Sequence, residues 1–358
     1  MQRQTKKRRL MQHIRMSNKT DDIILLISLA RISFLNLTEK LNLLKKLDSY
    51  NDLAILSIED IKNITSRNIR AVWDGRQNLF AARKEAAILE AKKIKYLLYG
   101  DEAYPALLKE TPNAPFMLFY TGDASCLTGR TVSVVGTRRI APEAKRAAVQ
   151  FAYDAACDGC TVVSGLAKGV DGAAHTGAVN ARFDSFEDIV SAEGRTAAVL
   201  PCGIDTVVPS GHKALAEQIV RTGGCIVSEY VPGTPAENWR FVQRNRIVAA
   251  LSPATVVIQA PDGSGALITA QYALDYSRDV VFHKAAFSRN AEDVRSLVKA
   301  QLEKDFAAGN VSKGKIENTC EKYIEAGAPI IENYKEYCDC MTALPGTYSL
   351  KNEQLNLF

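Results

Sequence analysis

Two glycine-bearing turns and one arginine–aromatic run hold the residue types in this sequence that suit capture of an anion. The first turn, Gly136-Thr137-Arg138 with Arg139 behind it, ends the β-branched run Thr131 to Val135. The second, Ser164-Gly165-Leu166-Ala167-Lys168-Gly169, ends the run Thr161 to Val163. Glycine lets successive backbone N–H groups converge on one point, and each turn adds a cation. The third stretch is Asn238-Trp239-Arg240-Phe241-Val242-Gln243-Arg244-Asn245-Arg246. Arginines hold phosphates by forked hydrogen bonds, and an exposed aromatic ring gives a base a face to stack on. A surface salt-bridge cluster is the plain alternative, and it leaves the aromatics unexplained.

These residues need a frame that gathers them. Short, strongly apolar runs at 131–135, 161–163, Thr196–Leu200, Cys225–Val227, Ala254–Gln259 and Val280–Phe282 alternate with helical patterns. Strands that read as continuous apolar runs are buried on both faces. Their alternation with helices predicts an α/β fold with a doubly wound, mostly parallel sheet. Pro142 suits the first turn of the helix after the first strand, where a missing N–H costs nothing. Five runs end in small or polar residues: Gly136-Thr137-Arg138, Ser164-Gly165, Pro201-Cys202-Gly203-Ile204-Asp205, Ser228-Glu229 and Ala260-Pro261-Asp262-Gly263-Ser264-Gly265. In a parallel sheet these carboxyl ends share one edge, where such folds bind ligands. Ahead of the sheet, residues 21–93 carry apolar positions at helical spacing and a Ser57-x-x-Asp60 capping signature, which predicts a small all-helical domain. Such a domain serves as an interaction module or as a packing appendage. Residues 94–130 read as a connector around Tyr104-Pro105, Pro112 and Pro115, residues 131–340 as the ligand-binding domain, and 341–358 as a tail.

The chain has 358 residues, 47% hydrophobic and 24% charged, which suits two globular domains with tails. No apolar run approaches the ~20 residues of a membrane span, and the start lacks a secretory apolar core, so a cytoplasmic protein is expected. The net charge of +5 is unevenly placed. Residues 1–20 hold seven cations and no acid, leaving 38 basic against 40 acidic side chains elsewhere. A nucleic-acid site in the folded part must therefore be a local patch. The basic leader is expected to be disordered. It is either a DNA-binding arm or incidental to a start at Met11 or Met16.

Several chemistries lack their residues. No G-x-G-x-x-G follows the first strand, no acid ends the second, and there is no Walker A lysine loop. Dinucleotide redox chemistry and ATP hydrolysis are thereby unsupported. Asp171 and His175 share a helical face, but no activated nucleophile accompanies them, which favours a structural role. The eight cysteines are irregularly spaced and read as reduced thiols. Cys157-x-x-Cys160 is read as two buried thiols, and no metal or other cofactor is expected.

The stretches VVGTRR, SGLAKGVDGAAH, VLPCGID, VSEYVPG, FVQRNRIVAALS and SGALITAQYAL stand in the order and spacing of the DprA/Smf family of DNA-processing proteins. The resemblance covers residues 20–335 and is strongest over 131–283. It implies a helical domain of the sterile-alpha-motif kind and an extended Rossmann-like domain that dimerises. It further implies single-stranded DNA binding during natural transformation, loading of the RecA recombinase, and no enzymatic turnover. By motif, Gly136, Thr137 and Arg138 are implied to bind a phosphate, and Lys213, Arg240, Arg244, Asn245 and Arg246 to continue the groove. Phe241 is the implied stacking residue, and Ser164, Gly165, Lys168, Ser264 and Gly265 are implied to shape the pocket. Thr137 stands where the family carries serine, and Ala141-Pro142 where tyrosine–glycine is common. Residues 180–195 look like an acidic insertion, and an extra amphipathic helix is expected over 291–306.

A phosphoribohydrolase of the lysine-decarboxylase-like type is the competing enzyme reading. It requires a glutamate after the loop Asp262 to Thr269, and none follows there. A third reading is a pure interaction scaffold. The terminal Gln354-Leu355-Asn356-Leu357-Phe358 is similar to the peptide by which bacterial proteins bind the replication sliding clamp, with Gln354, Leu355, Leu357 and Phe358 as contacts. The alternative is that Leu357 and Phe358 fold back onto their own domain.

Overall fold

A computed structural model describes residues 19–184 and 195–342. The chain divides into two compact units. One holds the residues through Thr121 together with Cys202–Thr206 and Val227–Ala236; the other holds Gly122–Pro201, Val207–Ile226 and the residues from Glu237 onward.

The first unit begins with five helices, α1 (Lys19–Ala30), α2 (Leu37–Lys46), α3 (Tyr50–Ile55), α4 (Ile58–Thr65) and α5 (Gly75–Ala91). Three of them start with reciprocal capping boxes, Asn36 with Glu39, Ser49 with Asp52, and Ser57 with Asp60. Each box satisfies two backbone N–H groups that a helix start leaves orphaned, which lets helices this short persist. Ile27, Leu29, Leu43, Leu53 and Ile61 are buried between them. The same unit holds β1 (Lys95–Leu98), the short helix α6 (Ala106–Lys109) and all but the last residue of β2 (Met117–Gly122). The two strands pair antiparallel, Lys95 opposite Tyr120 and Leu98 opposite Met117.

The second unit contains β3 (Thr131–Gly136), α7 (Pro142–Cys157), β4 (Thr161–Ser164), α8 (Val170–Asp184), β5 (Thr196–Val199), α9 (Lys213–Arg221), α10 (Asn238–Ala250), β7 (Ala254–Gln259), α11 (Gly265–Asp275) and β8 (Asp279–His283). Strand β6 (Cys225–Ser228) crosses the boundary between the units. After β8 come α12 (Arg289–Ala307), α13 (Lys313–Ile316), α14 (Cys320–Glu325), β9 (Ile330–Ile331) and α15 (Tyr334–Thr342). The strands run β5-β4-β3-β7-β8-β9, every neighbouring pair parallel.

The expected α/β fold is therefore present, a mostly parallel, doubly wound sheet with a helical N-terminal region. Each of the six expected strands is found to within one residue at either end. The helix expected at 291–306 is α12. Strands β1, β2 and β9 were not anticipated.

Chain order reverses between β3 and β7: from β3 the chain moves to β4 and β5 on one side, and from β7 to β8 and β9 on the other. The carboxyl ends of strands part at such a switch point and leave a crevice. Helix α10 is fixed above it by polar residues inside the sheet. Thr131 Oγ1 donates to Leu251 O at 2.7 Å, and Ser133 Oγ to Val248 O at 2.7 Å. A hydroxyl inside an otherwise apolar strand needs a partner, and the carbonyls at the end of α10 supply it.

No described helix is long and apolar enough to cross a membrane. None of the eight cysteines is in a disulfide; Cys160 is buried, but Cys157 is exposed. The expectation of two buried thiols fails at Cys157, which closes α7 at a solvent-facing end. The tail residues 354–358, the basic leader through residue 18, and residues 185–194 of the expected insertion lie outside the described residues.

Candidate nucleic-acid interface

A cleft of about 390 Å³ occupies the switch point, walled by the turns after β3 and β4, the start of α11 and the first half of α10. It brings together Gly136, Thr137, Arg138, Gly165, Phe241, Arg244, Asn245, Ser264 and Gly265. Ser164, Lys168, Lys213, Arg240 and Arg246 do not line it, and neither do the loops after β5 and β6.

The β3 turn is tied down by its backbone. Thr137 N–H donates to Gln259 O at 2.7 Å, Val170 N–H donates to Thr137 O at 3.1 Å, and Arg139 N–H donates to Thr137 Oγ1 at 3.1 Å. Gln259 Oε1 also accepts from Ala141 N–H at 2.9 Å. Gly169 closes against this turn with φ of +83°, and a Cβ there would stand 2.1 Å from Thr137 O. Only glycine fits both the left-handed backbone and the contact. The fixed turn leaves Arg138 exposed, its guanidinium 4.9 Å from the centre of the half-buried Phe241 ring. An exposed cation and an aromatic face are thus side by side.

The floor is the start of α11. Helix starts carry unsatisfied N–H groups and a partial positive charge, which together attract phosphate. Ser264, the residue before this helix, makes no side-chain cap, and its buried Oγ has no partner among the described residues. Asn245 Nδ2 and Thr269 Oγ1 both donate to Gly265 O, at 3.0 and 3.1 Å, which steadies the floor.

Arg244 has a different duty from Arg138. It is 3% exposed, and its Nη1 donates to Gly165 O at 2.6 Å and to Val199 O. The guanidinium bolts the ends of β4 and β5 to α10. A Cβ on Gly165 would meet it at 2.5 to 2.7 Å, so this glycine makes room for an arginine. Ser164 is likewise internal, its Oγ donating to Val134 O at 2.6 Å. Arg246 is buried, Arg240 is half-buried with an ion pair to Glu237 at 3.2 Å, and Lys168 and Lys213 are exposed.

Asp171 is the one carboxylate among the described residues that line the cleft. Burial pushes its acid up, against the pull of Arg244 and of N–H groups donated by Ala167 and Gly165. His175 pairs elsewhere: its Nδ1 lies 2.7 Å from Thr196 Oγ1. Since that hydroxyl gives its proton to Val162 O at 2.7 Å, the histidine donates from Nδ1. Burial, with His212 and Arg244 nearby, pushes His175 down to about 3, so the ring stays neutral inside the fold.

Sequence reasoning did not select Asn238, Val242, Gln259 or Thr269 for this site. Gln259 carried a readable signal, a polar residue closing an apolar strand.

The family model described as DNA recombination-mediator protein A matches residues 95–342. Protein Smf of Borreliella burgdorferi is 29% identical over 319 residues, 88% of this chain and 94% of its own. Further curated relatives align over 41% to 59% of their own length. The X-ray structure of DNA processing protein A from Streptococcus pneumoniae superimposes with a TM-score of 0.62 at 26% identity, covering 87% of this chain and 95% of its own. DNA processing protein A of Helicobacter pylori, described for its single-stranded DNA binding mode, is alike in fold at 23% identity. Its TM-score is 0.52, over 70% of this chain and 95% of its own.

Proposed function

The chain belongs to the DNA recombination-mediator protein A family, and from that premise we propose that it binds single-stranded DNA along the cleft of its second unit. The observation that carries this reading is Arg138, exposed and stacked on Phe241 at the rim of a cleft floored by a helix start. One phosphate sits against the first N–H groups of α11 and the Ser264 hydroxyl, Arg138 meets the next, and a base lies on Phe241. Exposed Arg139, Lys168 and Lys213 supply further charge around the same unit. Phosphates and ring faces are common to every sequence, so binding discriminates little between bases. A duplex keeps its bases stacked inside and has none to lend to Phe241.

We further propose that the protein works without catalytic turnover, in the cytoplasm and as a homodimer. In this reading it protects incoming DNA and hands it to the RecA recombinase during transformation and recombination. The terminal Gln354, Leu355, Leu357 and Phe358 form a clamp-binding peptide; loss of clamp binding on Phe358→Ala supports this, and failure of the intact protein to bind the clamp removes it.

Filter-binding titrations with single- and double-stranded oligonucleotides at two salt concentrations test the central proposal. The expected result is preference for single strands and a log–log salt slope of about 0.7 per phosphate contacted. Equal binding of both forms, or none at low salt, overturns it. Release of free base from a nucleoside monophosphate would instead favour the phosphoribohydrolase.

A further inference from the structure

An aromatic residue just outside the cleft is left unused by the site described above. Trp239 stands in the first turn of α10, more than half open to solvent at 54%. Tryptophan at that exposure usually leans onto neighbouring apolar surface. Here the ring is held by polar groups. Its Nε1–H donates to Glu237 Oε2 at 2.6 Å, the Arg240 guanidinium lies 4.6 Å from its centre, and Arg240 pairs with Glu237 at 3.2 Å. The three residues form a closed bracket: the carboxylate orients the ring edge, the arginine covers ring surface, and the carboxylate holds the arginine. Such a bracket fixes an indole without burying it, so little rotamer freedom is left to lose on binding.

Its position is set by helix geometry. Residues three apart on a helix are surface neighbours. Val242, three residues on, is 40% exposed and lines the cleft. Trp239 therefore borders the cleft at its Val242 edge, while Phe241, two residues on, faces another side of α10.

We propose that Trp239 is a second base-stacking subsite, which takes an unpaired nucleobase where the strand leaves the cleft past Val242. The inference rests on the single-stranded DNA reading and extends it from one stacked base to two. It also assigns Arg240 a role apart from phosphate capture, as the cation that holds and polarises the indole; cations bind best over tryptophan among the aromatic rings.

The sequence contains two tryptophans, so the full-length Trp73→Phe protein reports Trp239 alone. Titration of that protein with a short oligothymidylate should quench its fluorescence saturably. Adding Trp239→Ala should weaken binding about 5- to 140-fold, the span that ~1–3 kcal/mol of stacking per base represents at ~1.4 kcal/mol per tenfold. Trp239→Phe should recover most of that loss. The salt slope should stay unchanged in both variants, because a ring removes no phosphate contact. Oligothymidylate bound with unaltered fluorescence, and with equal affinity in Trp239→Ala, overturns the subsite while leaving the single-strand reading intact. Absence of any binding by the parent protein at low salt overturns that reading, and the subsite with it. If Trp239→Ala changes the sedimentation mass but not DNA affinity, the indole serves a protein contact and the proposal is refuted.

Discussion

Replacing Arg138 and Arg244 one at a time should produce opposite signatures. Arg138 is exposed, and its only described partner is the Phe241 ring. Arg138→Ala removes an exposed cation–π contact of ~0.5–1 kcal/mol, worth about 1–4 °C of melting temperature for a unit of this size. On DNA it removes one charge-assisted contact of ~1.5–3 kcal/mol, about 10- to 140-fold in affinity at low salt. The salt slope should fall by about 0.7.

Arg244→Ala strips two buried carbonyls, Gly165 O and Val199 O, of their donor and removes the cation that draws the Asp171 acid down. Each buried carbonyl left without its donor costs ~1–3 kcal/mol, so the pair costs about 2–6 kcal/mol, or about 4–24 °C. Material that still folds should keep its salt slope, because this guanidinium faces backbone, not solvent. Arg244→Lys, with one ammonium for two carbonyls, should fall between the parent and the alanine variant in melting temperature. The assay is thermal unfolding beside filter binding at several salt concentrations. An unshifted melting temperature with a reduced slope for Arg244→Ala would refute the division of labour, as would the reverse pattern for Arg138→Ala.

Gly169→Ala should cost both stability and DNA affinity, since a Cβ 2.1 Å from Thr137 O displaces the turn that presents Arg138; unchanged binding would show that turn to be dispensable. His175 titrates near 3 in the fold against ~6.5 unfolded, so its contribution is complete above pH ~6.5 and is lost as pH falls toward 3. His175→Asn, which keeps a donor for Thr196 but cannot titrate, should lose about 2 kcal/mol less stability than the parent between pH 7 and 5, read from urea unfolding. Cys157 is the one exposed thiol of eight, so an aromatic disulfide reagent should label a single site rapidly in the native protein, and Cys157→Ser should abolish that phase.

The sheet was legible because burial on both faces leaves little choice of residue. Val132, Val134, Val162 and Val256 are each fully buried, and each stands in a run that reads as β-branched. The first helices were legible through caps such as Ser57 with Asp60. Strands β1 and β2 were not, because KYLL and MLFYTG are poor in β-branched residues and lie among prolines. The two residues of β9 are too few to show any period. In the site, the sequence located the cations but not their duties. Composition makes Arg138, Arg240, Arg244 and Arg246 equivalent. Helical phase separates one of them: Arg244 stands three and four residues before the fully buried Ile247 and Val248, on the inward stripe of α10.

That stripe explains how the interface is held rigid. The last turns of α10 are core, and their carbonyls accept from hydroxyls of the sheet beneath them. The first turns carry Trp239, Phe241 and Val242, each open to solvent to some degree. Arg244 stands where the two halves meet and joins the helix to the ends of two strands. A helix tied to the sheet at its end and pinned by a buried guanidinium at its middle cannot roll independently of the strands. The Phe241 ring, the Arg138 turn and the start of α11 are therefore held by the fold itself, and on the proposed single-strand reading binding need not include the cost of assembling them. Loosening should consequently show first as lost affinity with an unaltered salt slope, since every phosphate contact remains available but no longer in register.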